Sequence, residues 1–461
     1  MLLLPLYTLS QNLSQKLAKA YSVFATDSQH AFAISSLTVL NALTGEIILS
    51  NTGSTGLAPA STLKTVTSAT AYYILGQDFK WKTTLGYSGD ISLEGILKGD
   101  LILNGTGDPT LGSDRYPQSK PEILLRRWVS VIQQAGIKQI EGRVITDDLL
   151  FGTQTIPQGW IWQDIGNYYG AGSSSVCWNE NQFDIVFQAG KPREPTKFVR
   201  TEPKVDYLKI INEVKTGEAG TGDQVYAYSA PFSNMVYLRG TYAVDLKKNV
   251  SVSFPDPGFE AAFRISEGLK KAGISIRNLP STNRILTSGD EPATKAATTL
   301  DTYYSPSLDS VVYWLNQKSL NLYAENLLKT IALHESKEAT TENGIEILKT
   351  FWVKKLNLDK RSMNVLDGSG LSPENKISTL TMAQILRSVQ KEAFFKSFYK
   401  SLPVYNDMKM KSGTIRDGLA YAGYQTTSSG TQVVFSFIVN GFNGSTKEMR
   451  QKMFKVLDVL K

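Results

Sequence analysis

The stretch Leu57-Ala-Pro-Ala-Ser-Thr-Leu-Lys-Thr-Val-Thr-Ser68 is the part of the chain from which the fold can be worked out. Pro59 precedes an Ala-, Thr- and Leu-rich run that ends at Gly76, which predicts a loop followed by a helix. Residues three apart share one face of a helix, so Ser61 and Lys64 are expected to lie side by side. Free N–H groups at the first helical turn also stabilise negative charge on oxygen. The stretch therefore predicts a nucleophilic serine whose base is a lysine.

A Ser-x-x-Lys spacing carries little weight by itself, because two common residues recur at a fixed spacing by chance. The chain contains a second copy at Ser397-Phe-Tyr-Lys400. The alternative interpretation, that both pairs are ordinary helix residues, stays open until further partners are found.

The whole-chain composition excludes several classes of enzyme and partner. With 461 residues, 41% hydrophobic and 20% charged, the chain is expected to form two or three globular domains. The formal net charge of +7 favours acidic partners, but the basic residues are dispersed and predict no nucleic-acid partner. The single cysteine, Cys177, rules out an intramolecular disulfide, and we expect no metal and no cofactor. Two histidines and the lack of a Gly-x-Ser-x-Gly motif disfavour a Ser-His-Asp hydrolase.

The first segment, Met1-Leu-Leu-Leu-Pro-Leu-Tyr-Thr-Leu-Ser10, resembles the apolar part of an export signal that lacks its positive start. A start codon assigned too far downstream would explain this, and a plain apolar first turn is the alternative. No apolar run reaches the roughly 18 residues that span a bilayer. We therefore expect no transmembrane segment, and at most a peripheral contact with a membrane.

Both ends of the chain predict parts of one sheet. Strand-like runs at residues 31–40 and 46–50 are joined by a short turn and predict a hairpin. Toward the C-terminus, three strand-like runs at 408–415, 419–425 and 433–440 precede a predicted helix at 447–460. A helix that follows a meander can pack on the same sheet as the first hairpin. Residues 1–80 plus 295–461 are therefore predicted to form one α/β (α+β) domain.

Residues 81–294 predict a large insertion into that domain. Their alternating, Gly-punctuated texture is typical of β-strands, with helices near 120–135 and 255–272. No part of this region carries a catalytic pattern of its own. We expect a β-rich insertion built of two nested subdomains.

A lysine-activated serine needs further groups: a hydroxyl that relays a proton, an amide that orients the substrate and a cation for its carboxylate. Ser-x-Asn and Lys-Ser/Thr-Gly patterns supply such groups. Ser-x-Asn patterns include residues 10–12, 281–283 and 319–321, and Lys-Ser/Thr-Gly occurs at 215–217 and 411–413.

Context separates these copies. Only Ser319-Leu-Asn321 falls in a short polar break between two predicted helices, where both side chains can point into a cleft. Only Lys411-Ser-Gly413 begins a predicted strand meander, and a glycine there lets a substrate strand approach closely. Lys215-Thr-Gly217 runs into a Gly-rich stretch and is interpreted as a surface turn. The second Ser-x-x-Lys, at Ser397, comes after Ser319 and is therefore out of order.

The three motifs, ordered from Ser61 through Ser319 to Lys411, resemble the low-molecular-mass class C penicillin-binding proteins. This is the D-alanyl-D-alanine carboxypeptidase/endopeptidase family that includes penicillin-binding protein 4. The similarity covers most of the chain through the segments 59–64, 99–111, 159–164, 367–372 and 411–424. It implies a β-lactamase/transpeptidase-like domain, a sheet flanked by helices, split by the insertion. It also implies a serine-type peptidase that acts on peptidoglycan stem peptides, is acylated by β-lactams and is periplasmic or otherwise extracytoplasmic in a bacterium.

The resemblance assigns roles to the motif residues. Ser61 attacks the carbonyl between two D-alanines, and Lys64 accepts the proton of its hydroxyl. Ser319 and Lys411 relay the proton and help to bind the terminal carboxylate, while Asn321 holds the peptide backbone.

The strand motif extends the implied substrate site. Ser412, Gly413 and Thr414 line the bound peptide, and the backbone N–H groups of Ser61 and Thr414 form the oxyanion hole. Lys-Ser-Gly replaces the commoner Lys-Thr-Gly and keeps the hydroxyl.

One departure from the family pattern concerns the substrate side chain. Pro373 stands where an arginine commonly binds the carboxylate of a diaminopimelate side chain. Asp164 is present to pair with the ammonium of that side chain, with Tyr169 near it in sequence. We hypothesise that Arg416 supplies the missing cation, and the alternative is that Arg416 is a solvated strand residue.

Two other functions remain open from the sequence. One is a catalytically weak scaffold protein of the same fold that holds peptidoglycan without cleaving it. The other is a lysine-based serine esterase. Acylation by a β-lactam and release of D-alanine distinguish these from the peptidase.

Overall fold

The computed structural model describes residues 4–461, and within the first helix it describes side chains from residue 13 onward. The predicted leader-like segment Met1–Ser10 therefore begins outside the described residues. Among the helices that are described, none has both the length and the hydropathy needed to cross a bilayer.

The chain forms two compact units. The first, here called the terminal unit, comprises the chain up to Asp78 with Leu308–Leu320 and Thr341–Lys461. The second, called the inserted unit, comprises Phe79–Ser307 and Asn321–Thr340. Residues 321–340 thus belong to the inserted unit. The domain bounds expected from the sequence, 1–80 plus 295–461 and 81–294, stay a prediction.

The α-helices are α1 (Leu4–Ala25), α2 (Lys64–Leu75), α3 (Pro121–Gln134), α4 (Trp162–Ile165), α5 (Pro257–Lys271), α6 (Asn283–Ser288), α7 (Leu308–Lys318), α8 (Asn321–His334), α9 (Thr341–Leu356), α10 (Thr379–Val389), α11 (Phe395–Ser401) and α12 (Thr446–Leu457).

The strands are β1 (Ile34–Asn41), β2 (Ile47–Asn51), β3 (Gly56–Leu57), β4 (Lys82–Tyr87), β5 (Asp90–Ile91), β6 (Ile96–Lys98), β7 (Leu101–Asn104), β8 (Gln139–Ile140), β9 (Val144–Asp147), β10 (Gln182–Gln188), β11 (Lys197–Glu202), β12 (Lys209–Asn212), β13 (Lys215–Gly217), β14 (Asp223–Tyr228), β15 (Met235–Ala243), β16 (Val250–Ser253), β17 (Ser275–Ile276), β18 (Ser281–Thr282), β19 (Thr298–Tyr304), β20 (Met363–Asn364), β21 (Lys376–Ser378), β22 (Val404–Tyr405), β23 (Met408–Ile415), β24 (Gly418–Thr426) and β25 (Gln432–Asn440).

The terminal unit is built on a six-stranded antiparallel sheet in the order β2-β1-β25-β24-β23-β22. The first hairpin and the last meander thus share one sheet, as the sequence predicts, because β1 pairs with β25 along its whole length. Leu37 lies opposite Phe437, and Gly413 lies opposite Ala420. The α/β fold with an insertion is confirmed.

Alternation along the strands separates the two faces of this sheet. Leu37 and Phe437 belong to one hydrophobic core with residues of α1 and α12. The neighbouring residues Ser36 and Thr38 face the other way, where both hydroxyls lie within hydrogen-bonding distance of Thr379 in α10, at 2.6 and 2.9 Å. Helices α1 and α12 therefore cover one face, and α10 covers the opposite face.

The deciding stretch folds as a loop followed by a helix. Pro59 precedes a 3-10 turn, Ala60–Leu63, which continues into α2. The helix ends at Gly76, whose φ of +81° is in the left-handed region that glycine adopts at helix ends. The predicted helix is confirmed, with its first turn tightened to the 3-10 form.

The inserted unit is rich in short strands. They form four sheets, in the orders β18-β9-β7-β4-β19, β17-β8-β6-β5, β11-β10-β16 and β12-β15-β13, with β14 paired to β15. Two large hydrophobic cores and a small one of Ile102, Ile145 and Leu286 lie within this unit. One large core comprises residues between 183 and 254, and the chain segments that form the other large core lie on both sides of that range.

One sequence interpretation in this unit is wrong. Lys215-Thr-Gly217, interpreted as a surface turn, is strand β13 and pairs in parallel with β15. Thr216 is buried, and its hydroxyl accepts the N–H of Gly190 at 2.9 Å. The Gly-rich stretch that follows hid a short strand, because three residues are too few to show an alternating pattern.

Candidate active site

Ser61 and Lys64 are in direct contact in the terminal unit. The Lys64 Nζ atom donates to Ser61 Oγ at 2.9 Å and to the carbonyl oxygen of Ser369 at 2.7 Å. Lys64 is fully buried, whereas Ser61 remains partly accessible. Ala60, just before the serine, has φ +46°, an uncommon conformation for a residue with a Cβ. The 3-10 turn thus presents the Ser61 hydroxyl to solvent with an amine directly behind it.

The loop that carries Ser369 is held by one carboxylate. Asp367 accepts the N–H groups of Gly370 and Ser372, both at 2.7 Å, and the side-chain amide of Asn375 at 2.9 Å. Gly370 has φ +80°, and a Cβ there would lie 1.9 Å from the carbonyl oxygen of Ala60. The loop therefore fits against the Ser61 turn only with glycine at this position.

A second hydroxyl and amine form a similar pair. The Lys411 Nζ atom donates to Ser319 Oγ and to the carbonyl oxygen of Ser412, both at 2.9 Å. Ser319 lies in the break between α7 and α8 that the sequence predicts, and its φ is +57°. Burial lowers the pKa of Lys411 well below its usual value, and the positive charge of Lys64 lowers it further.

Strand β23 brings its backbone against the Ser61 turn. If Gly413 had a Cβ, that atom would lie 2.6 Å from the carbonyl oxygen of Pro59 and 2.9 Å from the nitrogen of Ser61. Among the described strands, only the two-residue β22 pairs with the outer edge of β23, at Met408 and Lys409. The edge beyond Met408 and Lys409 is therefore free of strand pairing and suits an extended peptide.

Helix α7 is fixed to α2 by polar contacts, which sets where Ser319 lies. Tyr72 donates its hydroxyl to Asp309 at 2.8 Å. The buried Asn316 donates to the hydroxyls of Ser401 at 2.9 Å and Ser68 at 3.4 Å. These contacts cannot be predicted from the sequence, because a polar residue on a helix has the same sequence pattern whether it faces solvent or another helix.

The duplicate motif on α11 differs in burial. Lys400 is exposed, and Ser397 accepts the side-chain amide of Gln77 at 3.2 Å. Only the Ser61 copy has the buried amine that the chemistry requires.

Three further predicted residues lie together in the inserted unit. The side-chain amide of Asn321 donates to the carbonyl oxygen of Tyr169 at 2.7 Å, and the Tyr169 hydroxyl donates to Asp164 at 3.1 Å. Burial raises the pKa of the Asp164 carboxyl, and the hydrogen bond from Tyr169 lowers it by less.

Arg416 and the buried cysteine complete the predicted residues. The Arg416 side chain is 90% exposed in the turn between β23 and β24, with its Nε atom 3.9 Å from Asp417. Cys177 is buried, and burial raises its thiol pKa to about 12. The described part of the chain contains no group of three or more His, Cys, Asp or Glu residues placed to hold a metal ion.

The arrangement in the terminal unit couples two hydroxyls to two buried amines. A proton released by Ser61 has an acceptor at Lys64, and Ser319 has a donor at Lys411. Such a set can carry out nucleophilic attack on a carbonyl, followed by proton transfer to a leaving group.

Comparison with known proteins gives the family. The model described as the D-Ala-D-Ala carboxypeptidase 3 (S13) family matches residues 17–460. The D-alanyl-D-alanine carboxypeptidase of Actinomadura sp. (strain R39) is 23% identical over 441 residues, covering 89% of this chain and 78% of that protein. DacB of Haemophilus influenzae is 23% identical over 429 residues, covering 88% of this chain and 85% of that protein.

Solved structures show the same fold. Penicillin binding protein 4 of Haemophilus influenzae superposes with a TM-score of 0.75 at 21% identity, covering 97% of both chains. The same protein in complex with a β-lactam gives a TM-score of 0.72 at 20% identity, covering 98% of this chain and 99% of that one.

We predict that Gly413→Ala slows the acylation of Ser61 by a penicillin on the order of 100-fold, because the new Cβ displaces the Ser61 turn. The rate is measured with a fluorescent penicillin under pseudo-first-order conditions. Gly268→Ala in α5 is the control, since its Cβ would meet no atom closer than 3.7 Å. Equal acylation rates for Gly413→Ala and the wild type would contradict the prediction.

We also predict that Lys411→Met flattens the pH dependence of stability. The folded pKa of Lys411 lies well below its ordinary value of 10.5, so between these two values the unfolded chain binds the additional proton. Stability contributed by this group therefore rises with pH over that window, and the variant loses the rise. Thermal unfolding from neutral pH to pH 10 measures it, with the exposed Lys400→Met as the control. An unchanged slope would exclude a neutral Lys411.

Proposed function

Because the chain belongs to the D-Ala-D-Ala carboxypeptidase 3 (S13) family, we propose that Ser61 is the nucleophile with which it cleaves peptidoglycan stem peptides. The protein is a serine-type D-Ala-D-Ala carboxypeptidase, a hydrolase. The observation that carries the assignment of the nucleophile is the 2.9 Å contact between Ser61 Oγ and the buried Nζ of Lys64.

In the acylation step, Ser61 Oγ attacks the carbonyl carbon between two D-alanines and Lys64 Nζ takes the hydroxyl proton. A base must be unprotonated, and the burial of the Lys64 amine away from water disfavours its charged form. The carbonyl oxygen of Ser369 keeps the Lys64 amine aimed at the serine. The peptide bond breaks, D-alanine leaves with the proton, and an ester forms on Ser61.

The leaving amine needs a proton donor on its own side. Ser319 and Lys411 supply a hydroxyl and an amine already in hydrogen-bonding contact, which suits a relay. The backbone N–H groups of Ser61 and Thr414 are proposed to bind the oxyanion, where each donor typically contributes 100-fold or more in rate. Water then hydrolyses the ester by the reverse proton path.

Substrate orientation is assigned to the residues that follow these motifs. Asn321 comes two residues after Ser319 in the chain and is proposed to hold the peptide backbone through its side-chain amide. Ser412 and Gly413 continue β23 past Lys411, where an extended substrate can align with the unpaired edge. Endopeptidase cleavage of cross-links proceeds through the same acyl-enzyme and belongs to the same proposal.

The partners follow from this chemistry. A β-lactam carries a reactive amide in place of the scissile bond and acylates the same serine, and a solved relative was determined with a β-lactam bound. Peptidoglycan lies outside the cytoplasm, so we propose a periplasmic or otherwise extracytoplasmic location.

We predict that penicillin forms a covalent adduct on Ser61, which increases the mass of the protein. Ser61→Ala should abolish both the adduct and D-alanine release. Intact-protein and peptide mass spectrometry measure the adduct. Ser397→Ala is the matched control from the duplicate motif and retains full labelling, since Lys400 is exposed.

The same experiment separates the alternatives. A wild-type protein that binds peptidoglycan but forms no adduct would be a scaffold protein. A protein that is acylated and hydrolyses esters but releases no D-alanine would be an esterase of the same fold.

Arg416 is proposed to bind the carboxylate of a diaminopimelate side chain, in place of the arginine that Pro373 precludes. Its guanidinium is exposed and extends from the end of β23. We predict that Arg416→Ala lowers kcat/KM for a diaminopimelate-containing pentapeptide about tenfold, from a charge-assisted contact of about 1.5 kcal/mol or more. A lysine-containing pentapeptide should be unaffected, and Arg361→Ala, also exposed, is the control. An unchanged preference between the two peptides would refute the role.

A further inference from the structure

A groove on the terminal unit lies outside the site described above. It has a volume of about 670 Å³ and runs along α1, α12 and the C-terminal turn, Asp458–Leu460. Five lysines line it: Lys16, Lys19, Lys452, Lys455 and Lys461. Asp27 is the acidic residue among the residues that line it.

The elements around this groove carry more basic than acidic residues. Helices α1 and α12 and the turn that follows carry seven basic residues, namely the five groove lysines with Lys447 and Arg450. Their acidic residues are Glu448 and Asp458. With the groove's Asp27 included, seven basic residues stand against three acidic ones, so this part of the terminal unit has an excess of four positive charges.

Only some of these lysines have structural partners. Lys452 pairs with Asp27 at 2.5 Å, and Lys461 pairs with Asp458 at 2.8 Å. Within the described part of the chain, Lys16, Lys19 and Lys455 form no ion pair and are exposed. Three amines thus project around the groove without a role in holding the fold.

The floor of the groove is apolar. Val23 is 68% exposed, while Phe24 and Val456 are buried beneath it as part of the sheet core. The exposed Val23, beside the half-buried Ala20 and Val459 and surrounded by lysines, matches an interface between acyl chains and anionic headgroups. A nucleic acid or another hydrophilic polyanion would contact the lysines and leave Val23 exposed to water.

We propose that this groove docks the protein reversibly on an anionic lipid surface, with headgroup phosphates on Lys16, Lys19 and Lys455 and acyl chains against Val23. Helices α1 and α12 cover the sheet face opposite α10. On β23, Met408 and Met410 face α1 and α12, while Gly413 faces the Ser61 turn. Docking therefore leaves Ser61 uncovered and does not depend on the cleavage reaction.

The test is sedimentation of the full chain with vesicles of phosphatidylglycerol mixed with phosphatidylcholine, and with phosphatidylcholine alone. We expect binding to the anionic vesicles only, weakening as salt is raised. Combined Lys16→Glu, Lys19→Glu and Lys455→Glu should weaken it on the order of 100-fold or more. Penicillin labelling should be unchanged, which also shows that the variant is folded.

A matched control reverses three lysines elsewhere in the terminal unit, Lys349→Glu, Lys354→Glu and Lys360→Glu, which line another cleft. It should retain most of the binding. Equal losses in the two triple variants would overturn the proposal by showing a response to net charge alone.

The apolar floor has a separate readout. Val23→Ser should lower vesicle binding several-fold and leave binding to soluble poly-aspartate unchanged. If the wild type binds poly-aspartate as tightly as vesicles, or if Val23→Ser has no effect on vesicle binding, the face is a site for an acidic protein and the lipid proposal fails.

Discussion

Two lysine amines, Lys64 and Lys411, are buried in one unit, and the structure around them is arranged to make that burial tolerable. Removing an amine from water is costly unless hydrogen bonds replace the lost hydration. Lys64 has the Ser61 hydroxyl and a backbone carbonyl at Ser369, and Lys411 has the Ser319 hydroxyl and a backbone carbonyl at Ser412. Each amine therefore fixes one hydroxyl and one backbone segment at the same time.

This requirement explains the less ordinary backbone features near the site. Ala60 and Ser319 both adopt positive φ, at +46° and +57°, next to or at the hydroxyls that contact the amines. Asp367 satisfies two backbone N–H groups of the loop whose carbonyl receives Lys64. Such local strain persists where surrounding contacts determine the conformation, and here the contacts are those of the buried amines.

Much of this could be predicted from the sequence, and the residues show why the rest could not. The sheet follows from alternating hydrophobic runs, and Ser61, Lys64, Ser319 and Lys411 stand in motifs whose order is informative. The contact between Lys64 and the carbonyl oxygen of Ser369 cannot be predicted from the sequence, because every residue has a carbonyl. Asn316 and Tyr72 act through contacts between helices, and β13 resembles a turn in the sequence because it is only three residues long. The lysine groove also depends on bringing α1 beside α12, far apart in the chain.

The alternation of β23 has a consequence for how such a chain can change over evolutionary time. Met410 faces the hydrophobic core, and Lys411 next to it faces the other side of the strand. Inserting or deleting one residue within the strand would reverse the side that each following side chain faces. The lysine would then point into the hydrophobic core, and a methionine would point toward Ser319. We therefore expect insertions and deletions to be tolerated in a turn that bounds the strand, such as Asn406-Asp407, and not within the strand.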